Sequence, residues 1–177
     1  MRWMSYVNSV NQTGRGAEQS TPSTTLVVGL GNPILGDDGI GWRVAEALKG
    51  SHPAVEIDCL ALGGLSLMER LVGYDRVIIV DSIQTHGGVI GQVYTFPLDD
   101  LPDLSAGHTT AVHDTSLPTA LKLGRAMGVI LPEDVMIVAI EADRVFDFTE
   151  HLTPAVEAAI PVATKAVMKL LNGKVID

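Results

Sequence analysis

The sequence predicts an α/β protein: a three-layer α/β/α sandwich around a mostly parallel five-stranded sheet. Three observations point there. From Thr24 onward, patches of apolar β-formers alternate with segments of helical period. Two strand segments, "RVIIVDS" and "DVMIVAIEA", are nearly continuous apolar runs, as central strands covered by helices on both faces require. At 177 residues the chain can bury roughly 70% of the surface its unfolded form exposes, so it needs no metal or disulfide simply to fold.

Residues 1–23 are rich in Ser, Thr, Asn, Gln and Gly with scattered apolar residues, and read as a flexible N-terminal extension before a single domain over 24–177. "TLVVG" (Thr25 to Gly29) is the first strand. Ile40, Val44, Ala47 and Leu48 then recur with the 3.6-residue period of a helix. "AVEIDCL" (Ala54 to Leu60) is the second strand, and Leu65, Met68, Leu71 and Val72 mark a second helix. "RVIIVDS" (Arg76 to Ser82) and "GQVYTFP" (Gly91 to Pro97) follow as strands. From about Leu98 to Val112 little regular structure is predicted, and loops of that length are often functional. A third helix starts near Thr115 to Pro118, where Thr or Ser can cap and proline fits the first turn, and runs to about Gly128. "DVMIVAIEA" (Asp134 to Ala142) is the fifth strand. The last helix starts at Thr153-Pro154, places Val156, Ile160, Ala163, Val167 and Leu170 on one face, kinks at Pro161 and ends at Gly173.

Composition narrows the partners. A formal charge of −9 opposes a nucleic-acid partner, whose binding relies on lysine and arginine displacing counterions. No apolar run reaches the roughly 18 residues of a membrane span, and the first residues lack a signal-peptide core, so a soluble cytoplasmic protein is expected. The single cysteine, Cys59, lies in a strand and reads as packing. With no G-x-S-x-G elbow, covalent catalysis is disfavoured.

In an open α/β sheet, ligands collect beyond the carboxyl ends of the parallel strands. Asn32, Asp37 and Asp38 follow the first strand, Asp81 ends the third, Glu141 ends the fifth, and His113 precedes the third helix. The opening "GLGNPILGDDG" looks like a phosphate cradle, yet Ile34 stands where the third glycine of G-x-G-x-x-G belongs, and no Walker Lys-Ser or Lys-Thr follows. Two carboxylates there also oppose an anion. Asp37 reads as a cap of the following helix, and Asp38 as either a cap or a ligand. Asp81 is either a turn former bonding the backbone of Ser82-Ile83 or a functional carboxylate. Two aspartates and a histidine suit a divalent ion such as zinc or nickel. His113, His108 and His86 compete for the histidine role, and spacing does not separate them.

Four segments in this order resemble the hydrogenase maturation endopeptidases: "VVGLGNPILGDDGIGWRVAEAL", "VIIVDSI", "HDTSLPTALKLGRAMG" and "LTPAVEAAIP". The resemblance implies a phosphorylase/hydrolase-like sandwich and an endopeptidase that removes the C-terminal extension of a nickel-iron hydrogenase large-subunit precursor after nickel insertion. It places a metal-binding triad on Asp38, Asp81 and His113, with Asp38 also catalytic. It gives Asn32 and Glu141 weaker substrate-binding roles; at Glu141, Ala142 departs from the family's usual Glu-Pro. No permanent cofactor is implied: the metal is the precursor's nickel, for which zinc or cadmium can substitute in vitro. "VVGLGNP" also looks like the start of peptidyl-tRNA hydrolases, although "ILGDDGIGWRVAEAL" departs from their continuation. A non-enzymatic metal- or nucleotide-binding module of the same fold is the remaining alternative.

Overall fold

The computed structural model describes residues 24–101, 116–143 and 148–173. The extension over 1–23, most of the long loop after Leu98, His108 and His113 lie outside the described residues. Five strands form one sheet: β1 (Thr25–Leu30), β2 (Val55–Leu60), β3 (Arg76–Ile83), β4 (Val93–Pro97) and β5 (Asp134–Glu141). Their order is β2-β1-β3-β5-β4, with every neighbouring pair parallel except the antiparallel β4 and β5. The helices are α1 (Ile40–Leu48), α2 (Gly64–Arg70), α3 (Leu117–Ala126) and α4 (Pro154–Leu171).

The two-residue period of the strands separates the core into two halves. Leu26, Val28, Val77, Ile79 and Ile137 pack with Leu67, Met68, Leu71 and Leu121 of the α2 and α3 region. Val27, Ile78, Val80, Val138 and Ile140 pack with Ile40, Val44 and Leu48 of α1 and with Val156, Ala163 and Val167 of α4. β1 and β3 are therefore covered on both faces, which is why their sequence is apolar without alternation. The Ser116 hydroxyl accepts from the Thr119 amide and caps α3. α4 continues through Pro161 as one 18-residue helix.

Three details depart from the periodic reading. Ala47 is exposed, and Ala45 takes the inward place on α1. α2 is a single short helix whose inward contacts are Leu67, Met68 and Leu71, whereas Leu65 and Val72 at its two ends are exposed. β4 begins at Val93, because a turn closed by the Gln92 amide on the Val89 carbonyl occupies the residues before it.

One packing contact fixes α1 over the sheet. Gly41 lies so close to β1 and β3 that a Cβ there would overlap the Leu30 and Val80 carbonyl oxygens. Helix α1 thus rests directly on the strand ends. At the sheet edge, Arg70 binds Asp58 at 2.7 Å and the Tyr74 hydroxyl at 2.9 Å, and also meets Glu56, tying α2 to β2.

Replacing Ile79, which is 2% exposed in a central strand, by Asp puts an unpaired charge among apolar neighbours. Ile79→Asp is expected to cost about 4 kcal/mol or more and abolish cooperative folding, as read by circular dichroism and thermal melting. A soluble variant with a sharp melting transition would contradict the position of β3.

Candidate active site

The loop after β1 is built around one close backbone contact and a set of hydrogen bonds. Gly31 has φ +118°, a left-handed conformation suited to glycine, and a Cβ there would overlap the Asp38 carbonyl. The Asn32 side chain accepts from the Ile34 amide at 3.2 Å, and the Leu35 amide donates to the Asn32 carbonyl at 3.0 Å. The chain then makes a 3-10 turn over Gly36–Gly39 and enters α1. Within that turn Asp38 is half-buried, and its Oδ2 accepts from the Asn32 amide at 2.6 Å. Asn32 and Asp38 are thereby brought together.

Asp37 does not cap the helix that follows it. Neither the 3-10 turn nor α1 has a side-chain cap bond. Instead Asp37 is buried, 6% exposed, and turns toward the start of α4. Its Oδ1 accepts from the Thr153 amide at 2.6 Å and its Oδ2 from the Thr153 hydroxyl at 2.8 Å. The reason is reach: Thr153, on the exposed segment leading into α4, offers a paired amide and hydroxyl to a carboxylate that is itself buried.

Glu141 is fixed in the same manner. It is 1% exposed, accepting from the Thr85 amide at 2.6 Å and the Thr85 hydroxyl at 2.9 Å. Its oxygens are engaged inside the protein rather than presented to a ligand. Thr85 and His86 belong to the connection between β3 and β4, and His86 is exposed there.

Asp81 differs from both. It lies beside Ala139 in the β3–β5 register, and its Oδ1 accepts only from the amide of the next residue, Ser82, at 2.8 Å, among the described residues. Burial pushes its carboxyl up to about 7; the Ser82 bond opposes the rise, and the charge of Asp38 adds to it. Asp81 borders a largely apolar pocket of about 350 Å³ whose lining includes Leu30, Gly64, Leu67, Phe96 and Ser116. Among the described residues no three His, Cys, Asp or Glu side chains form a group able to hold a metal. Asp81, which lines the pocket, is thus coupled by charge to Asp38.

Residues 42–170 match the model of the hydrogenase maturation protease family. The chain belongs to that family. It is 29% identical over 150 residues to the hydrogenase 2 maturation protease of Escherichia coli (strain K12), covering 83% of this chain and 90% of that one. With the hydrogenase expression/formation protein HupD of Rhizobium leguminosarum bv. viciae it shares 26% identity over 150 residues, 83% of this chain and 73% of that one. The solved structure of the hydrogenase maturating endopeptidase HybD from E. coli superposes with a TM-score of 0.68 at 28% identity, covering 85% of this chain and 93% of the other.

As a member of this family the chain is a peptidase, and the peptidyl-tRNA hydrolase and non-enzymatic readings fall away. The maturation protease fold also matches the predicted α/β/α sandwich. No helix among the described residues is long and apolar enough to cross a membrane. Sequence reasoning missed Thr153 and Thr85 as partners of the buried carboxylates. Thr153 was legible only as the start of α4, and nothing local to either threonine signals a carboxylate 116 or 56 residues away.

Asp81 links stability to pH. Its folded proton affinity exceeds that of an unfolded carboxyl, so the folded state keeps a proton that the unfolded chain releases near pH 3.8. Stability from this group is full below that pH and is lost as pH rises toward about 7. The Asp81→Asn variant, which keeps an oxygen for the Ser82 amide, should match the parent near pH 4 and exceed it by about 4 kcal/mol at pH 7.5 in urea titrations. Parallel pH profiles for the two proteins would show that Asp81 is not desolvated.

Proposed function

We propose that this maturation protease is an aspartate-dependent, cytoplasmic endopeptidase that removes the C-terminal extension of a nickel-iron hydrogenase large-subunit precursor once nickel has been inserted. The observation that best supports this reading is the Asp38–Asp81 pair, in which burial and a neighbouring negative charge give Asp81 a proton affinity near neutrality. A group of that affinity accepts a proton from water and returns it within one turnover. The relative's name, hydrogenase 2 maturation protease, supports the partner.

In the proposed reaction, Asp38, Asp81 and His113 engage the nickel carried by the precursor, which is part of the substrate. Nickel polarises the scissile carbonyl. One carboxylate takes a proton from the attacking water, and the oxygen bonds to the carbonyl carbon. The C–N bond then breaks, and the same carboxyl returns the proton to the departing amine. Zinc or cadmium can take nickel's place in vitro, since imidazole and carboxylate ligands accept each of them.

Purified protein should cleave nickel-loaded precursor and leave nickel-free precursor intact, as read by mass spectrometry of the large subunit. Equal cleavage of both would sink the nickel requirement. Asp38→Ala, Asp81→Ala and His113→Ala should each lower cleavage by a factor of about 100 or more while remaining folded by circular dichroism. Alanine at His86, exposed on the β3–β4 connection, should leave cleavage within about twofold of the parent, and a loss there equal to that of His113→Ala would reassign the histidine.

A further inference from the structure

We infer that Asp37 is a positioning residue for Asp38, acting through Thr153. This rests on the proposed role of Asp38 and extends it to the segment that holds Asp38 in place. Residues 149–153 run along the opening loop as a splint. The Gly36 amide donates to the Thr149 carbonyl at 2.7 Å, and the Thr149 amide donates to the Ile34 carbonyl at 3.0 Å. Leu35 and Thr149 form a parallel bridge. The Arg43 guanidinium of α1 reaches the Glu150 carbonyl at 3.1 Å. Asp37 closes this set with its two bonds from Thr153, the residue that precedes α4.

These contacts act on Asp38 because the two aspartates are adjacent in one short turn and are anchored differently. Asp37 is held from α4 and Asp38 from the Asn32 amide. Fixing the first carboxylate leaves the backbone between them little freedom, so Asp38 stays directed at the strand ends where Asp81 lies. Asp37 is the buried partner, and its two charge-assisted bonds from the exposed Thr153 fix where its carboxylate points, so removing the side chain frees the turn from α4. Groups that orient a metal-engaging side chain in this way typically change affinity or activity by a factor of about 10 to 100 when removed.

Charge and geometry at Asp37 can be separated by two substitutions. In Asp37→Asn, the side-chain oxygen still accepts from the Thr153 amide, and the new NH₂ donates to the Thr153 hydroxyl oxygen. In Asp37→Ala both bonds are lost. The probes are nickel(II) ion added to the full-length protein, followed by calorimetry, and cleavage of nickel-loaded precursor, followed as kcat and KM. Asp37→Ala should weaken nickel binding about tenfold and lower kcat by a similar factor with KM nearly unchanged, whereas Asp37→Asn should stay within about twofold of the parent in both. If Asp37→Asn is as damaging as Asp37→Ala, the negative charge itself is required and the positioning role is wrong. If a folded Asp37→Ala binds nickel as the parent does, the contact serves stability alone and the proposal is again wrong.

Thr153→Val keeps the backbone amide and removes only the hydroxyl, and covers the case in which Asp37→Ala fails to fold. It should weaken nickel binding by about threefold, and parent-like binding in that variant would overturn the proposal. Asp38→Asn serves as the control for the underlying reading. If it binds nickel and cleaves precursor normally, the role of Asp38 is refuted. Loss in Asp38→Asn together with parent-like Asp37→Ala and Thr153→Val refutes the positioning role alone.

Discussion

A carboxylate removed from water must find donors, and at the carboxyl edge of this sheet the carboxylates are satisfied unequally. Asp37 and Glu141 each receive an amide and a hydroxyl from one threonine. Asp38 receives the Asn32 amide. Asp81 receives only the amide of its own neighbour among the described residues, while facing apolar side chains and a second negative charge. The first two are built into the scaffold. Among the described residues Asp38 and Asp81 each hold a single amide bond, and Asp81 is the one whose burial raises its demand for a proton.

The scaffold makes this inequality possible. Parallel pairing of β2, β1, β3 and β5 brings their loops out at one edge, and β4 turns back antiparallel at the far side. α1 rests on β1 and β3 through Gly41, so the turn carrying Asp37 and Asp38 sits above the strand ends. The threonine bonds then tie the loops laterally. Thr153 links the loop after β1 to the start of α4, and Thr85 links the end of β5 to the loop after β3. Connections between elements thus fall on both sides of Asp81, and the loops gain from tertiary bonds the order that loops otherwise lack.

Much of this was legible in the sequence because it is local. Apolar runs located all five strands, and the Ser116 cap and the Thr153-Pro154 start fixed two helices whose boundaries depend on their own first turn. The α2 pattern was less informative, since a seven-residue helix has too few turns for periodicity to exclude Leu65 and Val72 from its inward side. Asp81 was legible as an anomaly: a charged residue ending an apolar strand. Asp37 was misread because an aspartate before a helix has an obvious local use, and the competing use depends on a threonine that the fold, not the sequence neighbourhood, brings to it. His113, whose assignment rested on resemblance, lies outside the described residues.

The inequality among the carboxylates bears on how a protease of this kind avoids acting too early. Burial, with the charge of Asp38 adding to it, raises the demand of Asp81 for a proton well above that of an ordinary carboxyl. An approaching cation reverses that balance: it replaces the repulsion from Asp38 by attraction and expels the proton. Under the proposed reading the cation arrives only with a nickel-bearing precursor, so the base forms at the moment its substrate is in place. Had Asp81 been given a threonine partner like that of Glu141, it would already be satisfied, and ionisation would no longer depend on what binds. Among the described residues, the sparse hydrogen bonding at Asp81 is thus what would make proton release responsive to the precursor's metal, while the well-bonded Asp37 and Glu141 keep the surrounding loops from relaxing to relieve it.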